Sequence, residues 1–159
     1  MNGVPILFRH NHVVQGASFE AFIRVEGRAL LVFEGAEWNC DGVEPGGLTR
    51  PGEKPDEAFE RFRQAFRYVL DDLAEESHTF EEFRDEARMF FVTNPVEAAT
   101  WDAAFEELTR GAEPGETFRS MQRAPYRPSS IRIELPGLTT TSPALSPSEI
   151  DTVALPIAA

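Results

Sequence analysis

The spacing of apolar residues changes once along the chain, in the short stretch between Arg50 and Pro55. Before it the period is close to two. Phe19, Ala21, Ile23 and Val25 alternate with Glu20, Arg24 and Glu26, the pattern of a strand with one buried face. Phe22 interrupts that alternation, Gly27 is expected to turn the chain, and Ala29 to Phe33 is an apolar run that Gly35 ends. Trp38 to Val43 reads as a further strand, and Val4 to Phe8 and His12 to Val14 as strand or extended. Glu44-Pro45-Gly46-Gly47 is a turn, because proline presets φ and glycine permits positive φ.

After Pro55 the period becomes helical. Phe59, Phe62, Phe66, Val69, Leu70 and Leu73 recur three and four residues apart and define one face of a long helix, with Pro55 suited to its first turn. A second helix opens at Thr79 with Glu82 three residues on, a capping-box pattern, and carries Phe80, Phe83, Ala87 and Phe90. Its end is ambiguous, since Met89 to Thr93 also fits a strand. A third helix is expected from the cap Asn94 and Pro95, with Ala98, Trp101, Phe105 and Leu108 as its stripe and Gly111 as its stop. Strands followed by helices predict an α+β fold: a small antiparallel sheet with a helix packed across it and two further helices.

Composition shifts near Gly111. Residues 1–110 carry 22 acidic and 11 basic side chains, nearly all of the net charge of −12, whereas seven of the twelve prolines follow that point. The expected division is an acidic body over 1–110, with 1–28 an added hairpin, and a Pro/Ser/Thr-rich tail over 111–159 holding one strand near 130–135. A single cysteine, Cys40, points to a reducing compartment, and the start of the chain has no basic, apolar leader pattern, so a cytoplasmic protein is expected. No apolar run approaches a membrane span. The acidity opposes unaided association with nucleic acid and favours a basic partner.

Candidate chemistry is sparse. His10 and His12 share one face of an extended segment, but the sequence offers only His78 and Cys40 as further soft ligands, so surface histidines are expected, not a metal site. Cys40 reads as strand packing. The doublets Asp71-Asp72, Glu75-Glu76 and Glu81-Glu82 split between helix faces and read as a solvated surface. Gly46, Gly47 and Gly52 lack the lysine and serine or threonine of a phosphate loop. Trp38, Trp101 and the phenylalanines read as core. No catalytic residue, metal or cofactor is expected.

In the stretch from Ala29 to Glu76 a strand ends at Phe33-Glu34-Gly35, an aromatic strand Trp38-Asn39-Cys40-Asp41-Gly42-Val43 follows, and then the turn Glu44-Pro45-Gly46-Gly47-Leu48-Thr49. Gly52-Glu53 precedes the helix opening Pro55-Asp56-Glu57-Ala58-Phe59. This order resembles the HicB antitoxin domain. Lys54 stands where that family has a capping threonine or serine, and no helix-turn-helix or ribbon-helix-helix pattern follows. The resemblance implies a partial RNase-H-like sheet with a helix across it, acting as an antitoxin. Its partner would be a HicA-like toxin, a small basic RNA-cleaving protein whose active face it covers, and homodimers would form through a sheet edge. Contact residues expected on this basis are Asp41, Glu44, Glu57, Glu60, Asp71, Glu75 and Glu76. Two alternatives stand beside it: an acidic nucleic-acid mimic or inhibitor, viral or defence-related, and a divergent metal-dependent nuclease using Glu20 or Glu34 with Asp41.

Overall fold

The structure, a computed structural model, describes residues 3–136 and 151–158. It is α+β, with a seven-stranded, mostly antiparallel sheet and three α-helices. Strands β1 (Val4–Gln15) and β2 (Glu20–Glu34) form one long hairpin, with Val4 opposite Leu31 and Gln15 opposite Glu20. β3 (Glu37–Glu44) returns along β2 through Gly35 and Ala36, which both take positive φ as a two-residue hairpin loop demands. β4 (Thr49–Gly52) follows the Pro45–Gly47 turn and pairs with β3.

Gly27 does not turn the chain; it lies within β2. A Cβ there would collide with the Phe8 ring and with the Glu44 carbonyl oxygen, so glycine serves close packing at the register shift between Arg28 and Ala29. Below that shift β2 pairs with β3; above it the same edge pairs with β6 (Ser130–Glu134).

The segment after Gly111 differs from the expected tail. Besides β6 it supplies β5 (Arg123–Pro125) and β7 (Thr152–Ile157). β7 runs antiparallel to β1 and parallel to β5, giving the order β4-β3-β2-β1-β7-β5. β1 is therefore an interior strand, and the expected added hairpin is the centre of the sheet. The cause is apolar: Ala154 and Leu155 in β7 are buried against the sheet, a signal too short to stand out among prolines and threonines. Of the Thr/Ser/Pro-rich stretch, residues 137–150 lie outside the described residues.

Helices cover both faces. α1 (Pro55–Glu76) buries Ala58, Phe59, Phe62, Ala65, Phe66, Leu70 and Ala74. Phe8 of β1 meets Phe62 edge-on, with ring centroids 5.5 Å apart, and His10 meets Phe66 at 5.6 Å. Each large side chain so buried contributes about 1.5–3 kcal/mol. α2 (Phe80–Phe90) adds Phe83 and Ala87 to this core, and Met89 continues the helix. α3 (Pro95–Thr109) packs on the opposite face, where Trp101 joins Leu30 and Val43 and its Nε1–H donates to the Ile6 carbonyl at 3.2 Å. Thr79 caps α2 and Asn94 caps α3 through backbone N–H groups. Among the described residues no helix is long and apolar enough to cross a membrane.

Candidate partner-binding surface

Helical spacing sets Glu57, Glu60, Asp71 and Glu75 on the face of α1 that points away from Phe62 and Phe66. Glu60, Asp71 and Glu75 are exposed there, and Glu57 is half-buried. Glu76 is exposed at the helix end, off that face. Near the start of the helix the charges are matched: Glu57 pairs with Arg61 at 2.6 Å and Glu60 with Arg63. Toward its end they are not. Residues 71–86, spanning the end of α1 and most of α2, hold eight acidic side chains against the single Arg84, and all eight acids are exposed. More than half of the molecule's net charge is thus concentrated on one helical corner.

Glu44 is not on this surface. It is 5% exposed, and Arg28 grips it with two parallel hydrogen bonds, Nε to Oε1 at 2.8 Å and Nη2 to Oε2 at 2.7 Å. Ser129 Oγ and Thr93 Oγ1 also donate to it, at 2.6 and 2.8 Å. Burial alone would raise its pKa, but these donors outweigh burial and hold the carboxyl below its ordinary value. The Arg28 guanidinium lies over the Trp101 ring, 5.0 Å from its centre, and reaches Asp102 at 3.3 Å. Its own pKa is raised, chiefly by the Glu44 hydrogen bonds. The group joins β2, β3, α3 and the chain before β6, and its role is structural. A turn carboxylate next to proline gave no sign of this; the signal available was Arg28, the one charge inside a strand half that is otherwise apolar.

The histidines also depart from expectation. His10 is 1% exposed, with Nδ1 3.0 Å from Asp151 Oδ2. Asp151 further accepts from the Asn11 N–H at 2.7 Å and from Arg63 Nη1 at 2.5 Å. Burial opposes ionisation of Asp151, yet His10, Asn11 and Arg63 together bring its pKa down to about 2. His12 Nε2 lies 2.7 Å from Asp71 Oδ1; burial lowers the His12 pKa, and the Asp71 contact only partly offsets this. These are surface-to-core clasps between β1, α1 and the last strand. They fix Asp71 in place at the edge of the acidic corner. Beside Arg63 and Asp151 opens a cleft of about 930 Å³, floored by Leu31, Trp38, Phe59 and Phe118 and rimmed by Asp56 and Glu60.

Of the acids named for nuclease chemistry, Glu34 lies near enough to Asp41 to repel it, whereas Glu20 does not approach the pair. Glu20 pairs with Gln15 at the far end of β2 from Asp41. Asp41 is half-buried, and its pKa is raised by burial and by Glu34 despite a hydrogen bond from Thr49. Glu97 is raised in the same way, by burial, Asp41 and Glu34. Among the described residues no three His, Cys, Asp or Glu side chains are grouped to hold a metal ion. Cys40 is a buried free thiol whose pKa burial pushes up, as suits packing. Gly46 lies close against Asn94 and binds α3 to the β3–β4 turn, its N–H donating to the Val92 carbonyl at 2.8 Å. In comparison with known proteins, the chain matches no family model, no curated protein and no solved structure.

Proposed function

We propose that the protein is a binding module that covers the active face of a basic protein, and, following the HicB-like pattern of Ala29 to Glu76, that the partner is a small RNA-cleaving toxin. The observation that carries this reading is the acidic corner of residues 71–86, eight exposed carboxylates with one arginine among them. A protein that grips RNA phosphates carries a positive face, and a dense negative surface accelerates encounter with it and opposes wrong partners. Asp71 is oriented by its hydrogen bond to His12, and a group oriented before binding has a lower ordering cost. The cleft beside Glu60 offers an apolar seat next to the charged rim, the arrangement in which a few anchoring side chains carry most of the affinity. Asp41 and Glu44 take no part in this version of the contact; Glu57, Glu60, Asp71, Glu75 and Glu76 remain.

The test is capture of the products of neighbouring genes on the immobilised protein at low salt and again at high salt. Retention of a small basic protein at low salt, released by salt and lost with Asp71→Lys, Glu75→Lys and Glu76→Lys together, supports the reading. Failure to retain any basic protein at low salt overturns it.

A further inference from the structure

The cleft beside Arg63 and Asp151 holds about 930 Å³, toward the upper end of the roughly 300–1,000 Å³ that small-ligand sites occupy. The first half of α1 lines one side of it, and Ser120 and Met121, just after the single helical turn Glu116–Phe118, line another. Its apolar floor does not end at its mouth. Phe118 meets Trp38 edge-on with ring centroids 5.6 Å apart, and Trp38 lies 5.4 Å from Phe33 at the end of the β2–β3 hairpin. Phe33 is 59% exposed, so an aromatic row runs from the buried floor to the surface. A row of that kind suits an extended chain, whose alternate side chains point the same way.

The rim sets the charge of what enters. Four carboxylates line the cleft, Glu53, Asp56, Glu60 and Asp151, against two cations, Lys54 and Arg63. Arg63 is already committed, to Glu60 through Nε and Nη2 and to Asp151 through Nη1. Glu53 and Asp56 are exposed at the start of α1 and make no ion pair among the described residues. An acidic rim opposes carboxylate and phosphate groups, and an apolar floor offers a purely polar cation no partner. What complements both is an apolar body with positive charge at its sides.

We propose that the cleft seats an extended segment of a basic protein in which large apolar side chains alternate with arginine or lysine. The apolar side chains lie over Trp38, Phe59 and Phe118, and the cations reach Glu53 and Asp56. This rests on the reading above, from which it takes only that the partner is basic, and it names the part of the partner that is gripped. The acidic corner of residues 71–86 speeds the encounter, and the cleft makes the anchored contact.

Trp38 reports occupancy. The chain has two tryptophans, and Trp101 is fully buried on the opposite face of the sheet, so a change of emission on filling the cleft comes from Trp38. The probes are three capped hexapeptides, in which arginine alternates with phenylalanine, arginine with serine, and glutamate with phenylalanine. A saturable change with the arginine–phenylalanine peptide is expected, with an affinity at least about tenfold tighter than for either control. Ser120 is exposed at the cleft wall, so Ser120→Tyr fills the cleft without removing a core contact, as a thermal melt verifies, and weakens this peptide about tenfold or more. Glu53→Lys with Asp56→Asn, which keeps an acceptor for the Glu57 N–H, weakens it about threefold or more. The proposal is overturned if the arginine–phenylalanine peptide does not bind saturably, if either control binds as tightly, or if Ser120→Tyr leaves the affinity unchanged. It is also overturned if sedimentation shows a dimer that Ser120→Tyr dissociates, which makes the occupant a second copy. Failure of the acidic-corner reading looks different. A basic protein lost with Asp71→Lys, Glu75→Lys and Glu76→Lys but retained in full by Ser120→Tyr keeps the corner and removes the cleft. The peptide bound as expected, with no basic protein captured, keeps the cleft and removes the corner.

Discussion

Glu44 and Asp151 are each surrounded by donors, and what those donors do sets two expectations. Replacing Glu44 by Ala leaves Arg28 charged, largely buried and without its fork, with Ser129 and Thr93 unpartnered. Breaking a buried pair in this way costs about 3–5 kcal/mol, to be read from chemical denaturation. An unchanged denaturation midpoint would show that the pair does not hold β2 to β3. Asp151 has a folded-state pKa of about 2 against an ordinary 3.8, so between those values the unfolded chain binds more protons. Its contribution is complete above 3.8 and is lost as the pH falls through about 2. His12 is depressed from 6.5, so protonation favours the unfolded chain and its contribution fades as the pH drops below 6.5. Asp41 and Glu97 are raised and act in the opposite direction. Comparing wild type with Asp151→Asn isolates the first effect: the variant loses less stability than wild type between pH 4 and pH 2.5. Equal slopes for the two proteins contradict the assignment.

At the level of elements, periodicity and capping made the helices legible before the structure. The α1 stripe is buried at Phe59, Phe62, Phe66 and Leu70, and Thr79, Asn94 and Gly111 sit at the helix ends where their chemistry suits them. Phe62→Ala should therefore cost about 3–5 kcal/mol by loss of packing against Phe8 and Phe59. Asn94→Ala should cost about 1 kcal/mol by removing an N-cap, measurable as a shift of the denaturation midpoint. Strands were harder to read. Gly27 looked like a turn because close packing and chain reversal call for the same residue, and only the partner strand distinguishes them. β7 is six residues with two fully usable apolar positions and a proline, and it is a strand because β1 offers an edge to it. Long-range pairing of that kind leaves no local trace. The buried His10 and Glu44 were missed for the same reason, since their partners Asp151 and Arg28 are brought to them by the sheet.

At the scale of the whole molecule, charge is segregated by the sheet. α1 and α2 place the acidic corner on one face, and Arg9, Arg24 and Arg132 mark the other, where β6 meets β2. A net charge of −12 describes neither face. The sequence made the acidity plain and located it in the body, but spread it over residues 1–110; the folded arrangement narrows it to residues 71–86. The most direct measurement is the affinity for any small basic protein that a neighbouring gene encodes, by titration at 50 and 300 mM salt, for wild type and for the triple variant Asp71→Lys, Glu75→Lys, Glu76→Lys. Tight binding at low salt, weakened at least about tenfold by the higher salt and again by the variant, is the predicted result. Binding that is absent at low salt, or that ignores both salt and charge reversal, contradicts the account.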